Sequence, residues 1–322
     1  MTHFFSLPAR RSPRAPLAVA ALAATGLTVT ACATEDPLAT DQAGGGGDGG
    51  ADTITIGTAN FPESEIIGQV WAEALREAGF DVEVTSGIGS REVYLFALEN
   101  GEVDIVPEYT GNLSQFYGAD IEQGADAEAV YAEVENALPE GLEAGDYAPA
   151  ESKDAYMVTP EVAEQYDLTT LYDLSAIDSI VLAGNPELAE RPYGPQGLDE
   201  VYNVPADSIT MNPISDGGGP LTVAALLQGE ATVADIYTTS PHLDSNGNEV
   251  ELVKLEDPEN MILPQNILPI YTAGGVPQEA LDALAAINRD LTTEDLTEMN
   301  LRNVGNEKAE PSVIATDYIA AR

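Results

Sequence analysis

Apolar and polar residues alternate at two distinct periods along residues 53–106. Thr53-Ile54-Thr55-Ile56-Gly57 reads as a strand. Pro62 then opens a helix whose apolar positions Ile66, Ile67, Val70, Trp71, Ala74, Leu75 and Ala78 recur at helical spacing, and Gly79 closes it. Asp81-Val82-Glu83-Val84-Thr85 alternates again and predicts a second strand. Residues 91–100 predict a helix stopped by Gly101, and Val103–Val106 a third strand. The order β-α-β-α-β calls for a mostly parallel sheet with helices on its faces.

A weak internal echo extends this picture. Ala97-Leu98-Glu99-Asn100-Gly101-Glu102 precedes a strand and Tyr109, and Ala225-Leu226-Leu227-Gln228-Gly229-Glu230 precedes a strand and Tyr237. The glycine-to-tyrosine spacing is eight residues in both. Ligands of open α/β sheets sit beyond the carboxyl ends of the strands. Two such units imply two similar lobes, each presenting a tyrosine to a shared cleft, although helix-Gly-strand also recurs by chance in α/β chains.

The first 52 residues follow different rules. Arg10, Arg11 and Arg14 precede an apolar run from Ala15 to Leu27, and no acid occurs before Cys32. The run is too short for a stable membrane span and suits a signal peptide over residues 1–31. Val29-Thr30-Ala31-Cys32 resembles a bacterial lipobox, with Cys32 the lipidated first mature residue; an incidental thiol beside an ordinary cleavage site is the alternative. Cys32 is the sole cysteine, so an internal disulfide is excluded. Residues 33–52, with Gly44-Gly45-Gly46-Gly47-Asp48-Gly49-Gly50, form a glycine-rich tether. Signal, lipid site, tether and globular body in that order fit an extracytoplasmic receptor, a binding protein or a tethered enzyme.

Charge narrows the choice. The 322-residue chain carries 55 acidic against 12 basic residues, a net charge of −43. Such a surface repels nucleic acid and anionic headgroups, which excludes a nucleic-acid partner. The acids are spread over helix faces and read as a highly solvated surface.

Several segments resemble, in order along the chain, the substrate-binding proteins for glycine betaine, choline, carnitine and related osmoprotectants in ATP-binding-cassette importers. They are Gly57-Thr58-Ala59-Asn60-Phe61 with Glu63 to Gly68, and Gly101-Glu102-Val103-Asp104-Ile105-Val106-Pro107-Glu108-Tyr109-Thr110-Gly111. Later matches are Arg191-Pro192-Tyr193-Gly194-Pro195-Gln196-Gly197-Leu198, Leu226 to Glu230, Leu255-Glu256-Asp257 with Pro264, and Leu291 to Leu296. The resemblance implies an α/β, two-lobed periplasmic-binding-protein fold of type II with a hinge and an interlobe cleft. Lobe one is then 53–157 plus 255–322, and lobe two 158–254. It further implies a monomer without cofactor or metal, partnered by ABC permease and ATPase subunits.

A quaternary ammonium has no N–H to donate and is held by electron-rich ring faces. With 13 Tyr, one Trp and six Phe, tyrosine is the available cage material, although a tyrosine at a strand end also serves for packing. By the resemblance, Tyr109, Tyr156 and Tyr237 are cage tyrosines and Asp154 faces the cation. Gln265 stands where the family has a fourth tyrosine. Arg191 matches the arginine that holds a ligand carboxylate, and the lysine often found before Asn-Phe is Ala59 here. Asn60 and Asn112 are candidate donors, and Arg91 a compensating cation. The two departures point to a polar or larger trimethylammonium compound in place of glycine betaine.

Other chemistry finds less support. Only His242 remains after Cys32, so no Ser/His/Asp or Cys/His set is available without it. Asp244 to Asn248 looks like the start of a calcium loop, but its glycine falls at the fourth position where the loop needs the sixth, and it reads as a turn. Ser215 to Pro220 reads as a capped helix start or a loop beside the cleft. Another small polar solute such as ergothioneine remains an alternative ligand. A tethered hydrolase using paired acids, or an adhesion lipoprotein, are the readings outside transport.

Overall fold

The structure, a computed structural model, describes residues 53–322 apart from Gln123 and Ser245. The segments expected to be the signal peptide and the tether, and Cys32 between them, lie outside the described residues. The predicted opening is present: β1 (Ile54–Gly57), α1 (Pro62–Glu77), β2 (Val82–Thr85), α2 (Arg91–Glu99) and β3 (Ile105–Tyr109). α1 starts on Pro62, with Glu63 and Glu65 in its first turn where the helix dipole favours acids. Gly79 and Gly101 follow α1 and α2 with φ of +94° and +68°, a backbone region that costs glycine least.

The chain continues through α3 (Thr110–Phe116), α4 (Ala127–Ala137) and β4 (Leu142–Ala144), then into the second sheet with β5 (Tyr156–Val158). α5 (Pro160–Tyr166), β6 (Ile180–Gly184), α6 (Pro195–Tyr202), β7 (Ile209–Pro213), α7 (Pro220–Leu227), β8 (Val233–Asp235) and β9 (Val253–Lys254) follow. β10 (Ile267–Thr272) rejoins the first sheet, and α8 (Gln278–Asp290), α9 (Thr293–Val304) and α10 (Pro311–Ala320) complete the fold.

The two sheets share one plan. The first runs β2-β1-β3-β10-β4 and the second β7-β6-β8-β5-β9. In each, three parallel strands from a β-α-β-α-β unit meet an antiparallel strand from elsewhere in the chain. β3 and β8 are therefore equivalent, and the echo that ends in Tyr109 and Tyr237 marks the same edge of each lobe. α1 packs on α8, α9 and α10, burying Trp71, Ile67, Leu75, Leu284 and Ile314 in the core of the first lobe. Trp71 donates its indole N–H to buried Asn288 at 2.8 Å, which satisfies the polar end of the ring. The second core gathers Val158, Leu171, Leu182, Tyr202 and Val233.

Two crossovers join the sheets, between Ala144 and Tyr156 and between Lys254 and Ile267. They pair with each other: Ala148 N–H donates to Ile267 O at 2.7 Å and Ser152 N–H to Gln265 O at 3.1 Å. Two adjacent extended segments that flex together are the form of a hinge. Among the described residues, no helix is long and apolar enough to cross a membrane.

Candidate functional site: an aromatic, acid-walled cleft

A cavity of about 120 Å³ lies at the carboxyl ends of β3 and β8, closed on one side by the hinge. Phe61, from the β1–α1 loop, stands between the two equivalent tyrosines. Its ring centroid is 6.2 Å from that of Tyr109, tilted 33°, and 5.9 Å from that of Tyr237, at 69°. Tyr94 and Tyr193 complete the aromatic lining. Burial pushes the phenols of Tyr94, Tyr109, Tyr193 and Tyr237 well above their ordinary range, so all four rings stay neutral with intact π faces.

Tyr109 is held by two buried acids. Its hydroxyl donates to Glu63 Oε1 at 2.7 Å and its backbone N–H to Glu108 Oε2 at 2.9 Å. Glu108 takes a bidentate pair from Arg91 at 2.8 and 3.0 Å and the Tyr94 hydroxyl at 2.6 Å, an arrangement whose donors satisfy a fully enclosed carboxylate. Glu63 also accepts from the Thr239 hydroxyl and from Asn300 Nδ2 at 2.7 Å. Since Thr239 donates to Glu63, Ser152 of the hinge donates to Thr239, at 2.7 Å. Tyr237 is fixed from the other lobe: Asn185 Nδ2 donates to its oxygen at 2.8 Å, and Gly217 N–H donates to Asn185 Oδ1 at 3.2 Å.

The polar wall is acidic. Asp154 from the hinge and Asp235 from the end of β8 are both buried, and Glu187 lines the same cavity. Asn112 Nδ2 donates to Asp154 Oδ2 at 3.2 Å. Gln265 in turn locks Asn112, accepting its backbone N–H at 2.9 Å and donating to its side-chain oxygen at 2.8 Å.

Tyr109, Tyr237, Asp154, Arg191, Asn112, Asn60 and Arg91 all line the cleft, together with Ala59. Tyr156 and Gln265 do not. The Tyr156 ring sits in the second core, and its hydroxyl donates to the backbone oxygen of Tyr193 at 2.5 Å, so it shapes the cleft from behind by holding Tyr193. Gln265 is enclosed behind Asn112. Arg91 is committed to Glu108, and Arg191 lies 3.8 Å from Glu92 of the opposite lobe. Asp216 caps α7, accepting from the backbone N–H groups of Leu221 and Thr222, while Ser215 and Gly217 border the cleft. Asp244 accepts the backbone N–H groups of Asn246 and Asn248, the hydrogen bonding of a turn.

Sequence reasoning missed Phe61, Tyr94, Tyr193, Asp235 and Glu187. Phe61 and Tyr193 fall inside the segments that carry the family resemblance. Asp235 lies two residues before Tyr237 in the second echo, at the place Pro107 holds before Tyr109.

Two α/β lobes, a paired hinge and a ring-lined cavity between them define the class: a solute-binding protein. Residues 52–321 match the family model for the substrate-binding domain of ABC-type glycine betaine transport systems, and the chain belongs to that family. It is 27% identical over 283 residues to a glycine-betaine-binding protein of Pseudomonas aeruginosa, covering 84% of this chain and 88% of that protein. It is 25% identical over 277 residues to the carnitine transport binding protein OpuCC of Listeria monocytogenes, covering 83% and 86%. The crystal structure of a glycine betaine/carnitine/choline ABC transporter protein superposes with a TM-score of 0.63 at 21% identity, covering 83% of this chain and 98% of that one. Ligand-free YehZ from Escherichia coli gives 0.59 at 23% identity, covering 84% and 99%. These superpositions establish the fold.

Proposed function

We propose that this protein is the extracytoplasmic, lipid-anchored receptor of an ABC importer and captures a quaternary-ammonium solute such as glycine betaine, choline or carnitine, leaving it chemically unchanged. The observation that carries the reading is Phe61 flanked by Tyr109 and Tyr237 over an acidic wall. Neutral aromatic faces and carboxyl oxygens hold a cation that cannot donate hydrogen bonds. The names of the relatives support the ligand class, and the pattern of residues 1–52 supports the anchor through Cys32, whose two lipid chains suffice for stable attachment. Tyr109 and Tyr237 are the cage tyrosines. Phe61 and Tyr193 take the places sequence reasoning left to Tyr156 and Gln265. Closure of the lobes presents the loaded form to the permease.

Calorimetric titration with glycine betaine, choline, carnitine, proline betaine and ergothioneine tests this. Saturable binding of a trimethylammonium compound, lost or much weakened in Tyr109→Ala, is expected. A folded protein silent to all of them would remove the quaternary-ammonium assignment.

A further inference from the structure

The acidic wall holds more than a cation site needs. Asp154 and Asp235 are 7% and 3% exposed, arise from the hinge and from β8, and line the same cleft, Asp154 lying two residues before Tyr156, which pairs with Asp235 across the second sheet. Two enclosed acids side by side disfavour a charge on both, and a proton on one of them removes the repulsion. The surroundings bring little positive charge to the pair. Asp235 Oδ1 has no hydrogen-bond partner. Asn112 donates to Asp154. Tyr193 and Tyr237 line the same cavity as the pair, Tyr156 lies behind it in the second core, and Glu187 adds a third acid. Arg91 stands nearby but is engaged by Glu108, and Arg191 lies towards Glu92. On the hinge side, a separate hollow lines Asp154 with Lys153, Lys254, Glu256 and Asp257.

We propose that Asp154 and Asp235 form a one-proton carboxyl pair in the cleft wall, that a bound organic cation displaces this proton, and that Asp235 thereby selects charged over uncharged ligands. The inference rests on the quaternary-ammonium reading above. Burial and then the charge of Asp154 push the Asp235 carboxyl well above the usual carboxylate range. Two adjacent carboxylates cannot both ionise in a dry wall, so the empty site keeps the proton. A cation against the pair supplies the missing positive charge, and the proton leaves to solvent. The chemistry balances as one cation in, one proton out. An uncharged ligand of the same shape leaves the proton in place and faces buried acids without compensating them.

Choline and glycine betaine are the probes, with 3,3-dimethylbutan-1-ol as the uncharged shape analogue of choline. Titrations at pH 6, 7 and 8, in buffers of different ionisation enthalpy, count protons released. The expected result is release of up to one proton per ligand, affinity rising with pH by up to roughly tenfold per unit, and no measurable binding of the alcohol. Asp235→Asn, an isostere of the protonated acid, should still fold by melting, release no proton, and lose roughly tenfold in affinity at pH 8; Asp154→Asn is the second variant and should also abolish release. A quaternary ammonium that binds the native protein with no proton release and a flat pH profile overturns the carboxyl-pair proposal and leaves the ligand class standing. No binding of either quaternary ammonium overturns both.

Discussion

Tyr109 joins two functions in one side chain. Its ring faces the cleft and its hydroxyl satisfies Glu63. Tyr109→Phe should therefore bind ligand within a few-fold of the native protein while melting lower, since it removes a donor from a buried carboxylate at a cost of about 1–3 kcal/mol. Tyr109→Ala should weaken ligand binding by about 1–2 kcal/mol, roughly 5- to 30-fold, through the lost ring face. Paired titrations and melts separate the two effects. Asp235 makes the opposite kind of prediction. Its carboxyl is raised in the folded state, so its stabilising contribution is present below about pH 4, where the unfolded side chain is also protonated, and fades as pH rises through the folded value. Without ligand, Asp235→Asn should gain melting temperature over the native protein as pH climbs from 5 to 8; curves that stay parallel would show that Asp235 ionises normally.

Helix α6 rests on close backbone contact. A Cβ on Gly197 would lie 1.9 Å from the Pro192 carbonyl oxygen, and one on Gly194 2.0 Å from that of Leu188. Gly197→Ala should cost about 1–3 kcal/mol, seen as a drop of roughly 3–10 °C by calorimetry. The β-α-β-α start was legible because Ile54–Gly57 and Pro62–Glu77 are regular at periods of two and 3.6. The third strand was not fully legible: it begins at Ile105 and runs through Pro107 to Tyr109 because β10, more than 150 residues away, pairs with it. Pro107 sits opposite Pro269, whose carbonyl turns away to accept from Gly145 N–H at 2.8 Å. The facing prolines thus break no bond between their strands, an exception local rules do not foresee.

At the scale of the molecule, Glu63 ties the lobes. It belongs to α1 of the first, while its donor Thr239 follows β8 of the second. Thr239→Val keeps the shape and removes the donor. The expected outcome is a larger radius of gyration without ligand by small-angle scattering, and affinity weaker by about 1–2 kcal/mol. Unchanged dimensions and affinity would mean the contact does not bias closure. The net charge of −43 acts over the whole surface. Self-repulsion destabilises the compact state and salt screens it, so the melting temperature should rise between 0.05 and 1 M NaCl, read by calorimetry.

The amino-acid sequence by itself determined the strands and helices of the first lobe, the repeat that places Tyr109 and Tyr237 on equivalent edges, and the acidic, tyrosine-rich chemistry. These follow from periodicity and residue type, which act over a few neighbours. Only the tertiary structure decided which rings reach the cleft. Tyr156 and Tyr193 are both buried in the second core, yet Tyr156 on β5 stays behind the cleft while Tyr193, just before α6, also reaches its lining. It likewise decided that Asp154 meets Asp235, because the antiparallel pairing of β5 with β8, Tyr156 opposite Asp235, brings the hinge acid beside the strand end. Such encounters depend on strand register between distant segments, and no local pattern encodes that register.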